Sequence, residues 1–358
     1  MGKRIVVVGA GAVGGYVGAQ LAAAGQNVTL VDGWAEHIAT VRRHGFAIDG
    51  MTPQESILVP IAILHEQEIE RLAEGGPVDI VLIAVKSYDT QRAVTMIQPF
   101  LADDALVVSL QNGINEGTIA AIVGPERTAG IIAARIAVEL DRPGHVQRMV
   151  PRGSPGIDVF RVGEVDGRRT VRIEELGALL RFVDSVKVTS NLAGERWSKL
   201  SANAMRNGVS AATGLSINQL DRDPGLRRFG IKVAGEAIRV GQRLGYELEN
   251  IGTVAARDFA LAEQGDAEVL ARVEETLRRA AEATTTRSDA QRPSMGQDVN
   301  KGRRTEVEEI YGVVIARANE VGLPVPANER VRQVVHAIER GEIAPRPENL
   351  APSASEGN

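Results

Sequence analysis

The stretch RIVVVGAGAVGG, residues 4–15, decides how this chain reads. Ile5 to Val8 is a short β-branched run of the kind that forms a buried strand. Gly9, Ala10, Gly11, Ala12, Val13 and Gly14 then make G-x-G-x-x-G. The motif alone is weak; a strand before it and a helix-compatible run, Ala12 to Ala24, after it give it context. In that setting Gly9 permits a tight turn, Gly11 lets the backbone approach a pyrophosphate, and Gly14 lets helix and strand pack closely. The helix start offers amide donors and the positive end of a dipole to phosphates. Asp32 lies 23 residues after Gly9, at the end of the next strand candidate, Val28 to Val31. A carboxylate there can accept the ribose hydroxyls of NAD. Lys3-Arg4 before an apolar stretch imitates a secretory signal, but six glycines interrupt it.

Outward from this unit, strand-like and helix-like runs alternate. Strand candidates are 79–85 and 106–110; helical patterns cover 35–43, 65–73, 90–100 and 116–122. Such alternation predicts a parallel sheet with helices on both faces. Residues 128–165 hold several strand-like segments between Gly and Pro turns and are expected to extend that sheet with antiparallel strands. A helix over 171–182 and a short strand over 186–189 follow. From about residue 191 strand signals stop. Leu226, Phe229, Val233, Ala237 and Val240 recur at helical steps, as do Val307, Ile310, Val314 and Ala318. The expected fold is therefore an α/β Rossmann-like domain over 1–190 and an all-α domain over 191–345, with a disordered tail over 346–358 rich in Pro, Ser, Asn and Glu. Residues 266–286 read as a charged, solvated helical insert.

Composition narrows the function. The 358 residues carry 41 basic and 46 acidic side chains, a formal net charge of −5. That balance argues against nucleic acid or an anionic membrane as partner. There is no cysteine, which excludes disulfides, thiol nucleophiles and cysteine-ligated metal, and suits a reducing compartment, hence the cytoplasm. The five histidines are scattered, without ligand spacing, and are expected mostly at exposed positions, so no metal site is expected.

Several further residues are placed for chemistry. Lys86 follows the strand DIVLIAV and Asn112 follows LVVSL; ligands of open α/β sheets bind outside such strand ends. Taken singly, Lys86 reads more readily as an exposed loop lysine and Asn112 as a turn-former before Gly113; together, both at strand ends beside a dinucleotide fold, they read evenly as site residues. In AGERWSKLSANAMRNG, residues 193–208, Lys199, Asn203 and Asn207 are four residues apart. At about 100° per residue they fall within an arc of ~80° on one helix face. One cation and two amides on one face of an otherwise apolar helix suit a polar site better than a core, with a solvated stripe as the alternative. Further on, RPSMGQD at 292–298 leads into KGRRTE at 301–306. There Thr305 is placed to cap the helix that follows, with Glu306 in its first turn.

Taken in order, GAGAVGG, VKSYDT at Lys86, QNG at Asn112, WSKLSAN at Lys199 and RPSMGQD…GRRTE at Ser294–Glu306 resemble the ketopantoate reductase family, the 2-dehydropantoate 2-reductases. The resemblance covers about residues 3–342. It implies Lys199 as general acid, Asn203, Asn207 and Ser294 as substrate-holding residues, and Glu306 as the group that orients substrate and cofactor. It also implies Lys86 and Asn112 at the nicotinamide end, with Asn112 near the substrate as well. The implied reaction is hydride transfer to the carbonyl of a small 2-oxo acid. Two departures stand out. Compact members carry an arginine just past the second strand that grips the 2′-phosphate of NADP, where this chain has Asp32 and Gly33; NAD(H) is thus expected, with NADP(H) the family alternative. The region 253–290 is also longer than in compact members. A reductase or dehydrogenase of another 2-oxo or 2-hydroxy acid stays open, as does a non-catalytic NAD-sensing protein and a homodimer.

Overall fold

The computed structural model describes residues 2–134, 136–153, 156, 158–283 and 292–350. The chain forms two compact units, Met1–Leu192 and Ala193–Asn358.

The first unit has strands β1 (Arg4–Val8), β2 (Asn27–Asp32), β3 (Phe46–Asp49), β4 (Ile57–Val59), β5 (Ala62–His65), β6 (Val78–Ile83), β7 (Leu101–Ser109), β8 (Thr128–Ala133), β9 (Val138–Arg142), β10 (His145–Arg148), β11 (Phe160–Glu164) and β12 (Val186–Val188). Its α-helices are α1 (Ala12–Ala23), α2 (Ala35–His44), α3 (Thr90–Ile97), α4 (Glu116–Val123) and α5 (Val171–Leu180). Eight strands build the main sheet in the order β12-β11-β8-β7-β6-β1-β2-β5. Every neighbouring pair is parallel except β8 with β11. From β1 the chain winds outward to β2 and β5, then returns to β6 on the other side. This reversal puts a topological switch point between β1 and β6, where such sheets bind ligands. The central strands are fully apolar: Val6, Val7, Val8, Val81, Leu82 and Ile83 are all 0% exposed, as expected of strands covered on both faces.

Within 128–165, β8 and β11 extend the main sheet as expected, β8 parallel to β7 and β11 antiparallel to β8; two expectations fail, and three strands were not expected. The segments at β9 and β10 do not extend the main sheet; with β3 and β4 they form a separate four-stranded sheet, β4-β3-β10-β9. Strands β3, β4 and β5 are three or four residues long, too short for periodicity to reveal. The run 65–73 is not an α-helix but a 3₁₀ segment, Glu66–Gly75, following β5. The second sheet is fastened to α1 by a buried charge. Arg148, 2% exposed, donates to the Tyr16 hydroxyl at 2.5 Å and pairs with Asp184 at 2.5 Å. A buried guanidinium needs such partners.

The second unit is helical: α6 (Leu192–Asn203), α7 (Val209–Thr213), α8 (Ile217–Arg222), α9 (Pro224–Arg243), α10 (Ala256–Glu263), α11 (Ala267–Ala283), α12 (Ser294–Asn300), α13 (Val313–Val321) and α14 (Pro326–Glu339). Its core gathers Ile231, Ala234 and Ile238 of α9 with Phe259 of α10 and Val273 and Leu277 of α11. So the insert expected to be solvated buries one face, with Val269, Val273, Leu277 and Ala281 turned inward; its residues 284–286 lie outside the described residues. The buried Glu236 carboxylate caps α14, accepting the Ala327 and Asn328 N–H groups at 2.9 and 3.0 Å. Burial raises its pKa against those bonds. The tail expected to be disordered from 346 is ordered through Leu350, which is 0% exposed, while Asn349 donates to the Ala212 carbonyl at 2.9 Å. Residues 351–358 lie outside the described residues. Among the described residues, no helix is long and apolar enough to cross a membrane.

Candidate active site

In the first unit the glycine loop lies against the exit of β6. Gly9 has φ +98°, and a Cβ there would come within 2.7 Å of the Val85 nitrogen. A Cβ on Gly14 would meet the Gly9 carbonyl oxygen at 2.0 Å. Both positions therefore demand glycine, one for conformation and contact, the other for contact alone. At Gly11 a Cβ would meet nothing within 4 Å, and as the N-cap of α1 this glycine offers no side chain to cap the first turn. Open space in front of an uncapped helix start is what a pyrophosphate requires.

Asp32 ends β2 and is already engaged with the loop. Its Oδ2 accepts the Ala10 N–H at 2.7 Å and its Oδ1 the Trp34 N–H at 2.8 Å. The carboxylate thus holds the loop's shape, and its remaining lone pairs can accept ribose hydroxyls. Trp34 stacks on His37 at 5.5 Å between ring centroids. His37 Nδ1 accepts the Gly144 N–H at 2.9 Å. Burial lowers its pKa, against the pull of Asp32. With His37 at 1% and His145 at 5% exposure, two of the five histidines are buried rather than exposed; His145 lies between Asp49 at 3.0 Å and Asp141 at 2.5 Å.

Lys86 and Asn112, both half-buried, follow β6 and β7, which are neighbours in the sheet. A polar network missed in the sequence ties their loops together. Ser87 Oγ and Asn115 Nδ2 both donate to the Asn112 carbonyl, at 2.9 and 2.6 Å. Gln111 Nε2 donates to the Val85 carbonyl at 2.9 Å and to Thr90 Oγ1 at 2.8 Å. Ser87, Thr90, Gln111 and Asn115 are buried, so these bonds are made in low dielectric and rigidify both loops.

In the second unit Lys199 and Asn203 sit on α6 and are half-buried. The helix is anchored around them. Trp197 is fully buried and donates to the Ala237 carbonyl at 2.8 Å, and Ser198 Oγ accepts the Glu249 N–H at 2.8 Å. The α-helix expected to carry Lys199, Asn203 and Asn207 ends at Asn203. Residues Ala204–Gly208 form a π turn, whose i→i+5 bonding widens the helix; Asn207 lies in that turn and is 8% exposed. A second π turn, Glu308–Gly312, is locked to the first by Tyr311. Its hydroxyl accepts the Gly208 N–H at 3.0 Å and donates to the Ala204 carbonyl. A Cβ on Gly208 would lie 2.4–2.6 Å from the Tyr311 ring and hydroxyl. Burial pushes the Tyr311 pKa far up, keeping it a donor. Tyr311 is not among the expected residues, and nothing in its spacing signals the lock.

The remaining expected residues cluster around these turns. Ser294 is the exposed first residue of α12, which packs on α7 and the first π turn. Thr305 Oγ1 accepts the Val307 N–H at 3.3 Å, just before the second π turn. Glu306 beside it is 6% exposed, more deeply buried than dipole complementation at a helix start requires. A buried carboxylate is costly, which favours a dedicated role.

This geometry can be set against known proteins. The family model described as "Ketopantoate reductase PanE/ApbA" matches residues 5–157, and that of its C-terminal domain matches 191–339. The chain belongs to the ketopantoate reductase family. Members of this family are nicotinamide-dependent oxidoreductases with a Rossmann-like domain. Among its relatives is a 2-dehydropantoate 2-reductase of Mesorhizobium japonicum, 27% identical over 94% of this chain and 99% of that protein. A PanE/ApbA family ketopantoate reductase of Ralstonia eutropha superposes with TM-score 0.75 at 28% identity, over 95% of this chain and 99% of its own. D-mandelate dehydrogenase with NADH and anilino(oxo)acetate shares the fold at TM-score 0.76 and 22% identity, over 94% of this chain and 99% of its own.

Proposed function

We propose that this chain reduces ketopantoate to pantoate and takes its hydride from NADH in preference to NADPH. The observation that carries the reading is the match of both family halves along one chain, to relatives of equal length named for that reaction. The residues fit it. Gly9, Gly11, Gly14 and the first turn of α1, with Ala10, Ala12 and Val13 between them, would hold the pyrophosphate, Asp32 the ribose hydroxyls, and Lys86 and Asn112 the nicotinamide end. When bound, the reduced nicotinamide supplies a hydride to the 2-carbonyl carbon. Lys199, as ammonium, meets the charge that develops on the carbonyl oxygen and delivers the proton that completes the 2-hydroxy acid. Asn203, Asn207 and Ser294 hold the substrate's oxygens, and Glu306 orients substrate and Lys199. The test is loss of NADH absorbance with ketopantoate beside a panel of other 2-oxo acids. A kcat/KM for another acid about tenfold above that for ketopantoate would reassign the substrate. No turnover with any of them, despite NADH binding, would favour a binding protein.

If Asn203 and Asn207 hold substrate, replacing either by Ala should raise KM by about 1–3 kcal/mol of lost hydrogen bonding, with kcat less affected. An unaltered KM alongside a large fall in melting temperature would make them structural.

Cofactor choice rests on Asp32, since a carboxylate facing a 2′-phosphate costs several kcal/mol. Wild type should therefore show the higher kcat/KM with NADH; a preference for NADPH of about tenfold or more would overturn the expectation. Asp32→Ala/Gly33→Arg should move the ratio toward NADPH. Because Asp32 also accepts the Ala10 and Trp34 N–H groups, the same variant should bind both cofactors less tightly.

A further inference from the structure

The neighbourhood of Asp32 holds a second charged device. Strands β2 and β5 are parallel neighbours, with Asp32 opposite His65. The next residues, Gly33 and Glu66, consequently lie side by side just beyond the strand ends. A Cβ on Gly33 would be 3.5 Å from the Glu66 carboxyl carbon and 3.6 Å from its Oε2. Those are ordinary contacts, and Gly33 does not adopt a left-handed conformation. A side chain at position 33 would therefore touch the Glu66 carboxylate without a clash. Glu66 does not wave freely: Arg92, on α3, clamps it with two bonds, Nη1 to Oε2 at 2.6 Å and Nη2 to Oε1 at 3.0 Å. Arg92 also approaches Asp89, Nε to Oδ1 at 3.6 Å. One guanidinium thus serves two carboxylates, with Asp32 a third on the adjoining strand end. The local balance is negative at the place where an adenosine ribose would lie.

An arginine fork suits carboxylate and phosphate equally well. Arg92 is half exposed, its side chain 54% accessible, so no packed wall fixes it; its acidic partners do. We propose that Glu66 is a specificity-determining residue of the nucleotide site: its carboxylate keeps a 2′-phosphate away from the ribose and occupies Arg92, which would otherwise bind that phosphate. This rests on the nicotinamide reading of the glycine loop. It also bears on the Gly33→Arg design above. The new guanidinium would sit within reach of Glu66 and pair with it, so that design gains its full effect only with Glu66 replaced.

Calorimetry with two non-reacting probes, ADP-ribose and 2′-phospho-ADP-ribose, tests the assignment without turnover. Wild type should bind ADP-ribose more tightly. Glu66→Gln should tighten 2′-phospho-ADP-ribose by about tenfold or more while ADP-ribose changes by less than about threefold. Adding Arg92→Ala should remove that gain. A merely structural Glu66 would weaken both probes together; a ratio between the probes that stays within about threefold of wild type in Glu66→Gln would overturn the proposal. So would a gain that survives in the Glu66→Gln/Arg92→Ala variant, since Arg92 would then not be the anchor. If wild type binds neither probe, the nicotinamide reading itself fails, a result distinct from either of these.

Discussion

Lys199→Ala is expected to lower kcat by about 10²–10⁴, the usual worth of a placed general acid, while the dissociation constant for NADH changes by less than about threefold. The expectation rests on what surrounds the lysine. Its neighbours on α6 are committed to structure: Trp197 to the Ala237 carbonyl, Ser198 to the Glu249 N–H, and Ser201 to the Trp197 carbonyl at 3.0 Å. Lys199 is half-buried on a helix these bonds hold rigid, and its ammonium can be pre-aimed at a developing oxyanion. Lys199→Arg separates charge from proton delivery. It keeps a cation of similar reach but does not release a proton near neutral pH. Its kcat should stay within about tenfold of the alanine variant. Single-turnover measurement of NADH consumption makes the comparison on the chemical step. Turnover near wild type in Lys199→Ala would take the residue out of the mechanism.

Gly208→Ala should destabilise the protein by about 1–3 kcal/mol through overpacking. Its new methyl would land 2.4 Å from a ring carbon of Tyr311, a side chain at 0% exposure with nowhere to go. For a unit of this size the melting temperature should fall by roughly 2–4 °C per kcal/mol. Tyr311→Phe probes the same lock without overpacking. It leaves the buried Gly208 N–H and Ala204 carbonyl without their shared partner, at a cost of about 1–3 kcal/mol. Because Asn207 lies between those two residues, both variants should raise KM more than they lower kcat. Thermal unfolding and steady-state kinetics on the pair give the answer; a Tyr311→Phe protein with wild-type melting temperature and KM would show that the π turn holds itself.

The nucleotide half of the site was legible because its demands are local. A strand, a turn that needs positive φ at Gly9, a close contact at Gly14 and a carboxylate at the next strand end fall within 29 residues of one another, and each depends on backbone geometry that residue type alone imposes. The alternation up to residue 190 and the helical periodicity beyond it are likewise local properties, and the sheet and the helices follow them. What tertiary structure decided depends on partners far apart in sequence. The short strands β3, β4 and β5 carry too few residues to show a period; they exist because β10 pairs with β3 and β2 pairs with β5. The α-helix gives way to a π turn after Asn203 because Tyr311, more than 100 residues later, supplies partners to backbone groups that an α-helix would have paired internally. Glu66 meets Gly33 only through the register of β2 and β5, and meets Arg92 only because α3 returns past that edge. Spacing along a chain reports what one element needs from its own backbone, whereas the partners of a buried hydroxyl or carboxylate are set by which elements pack together.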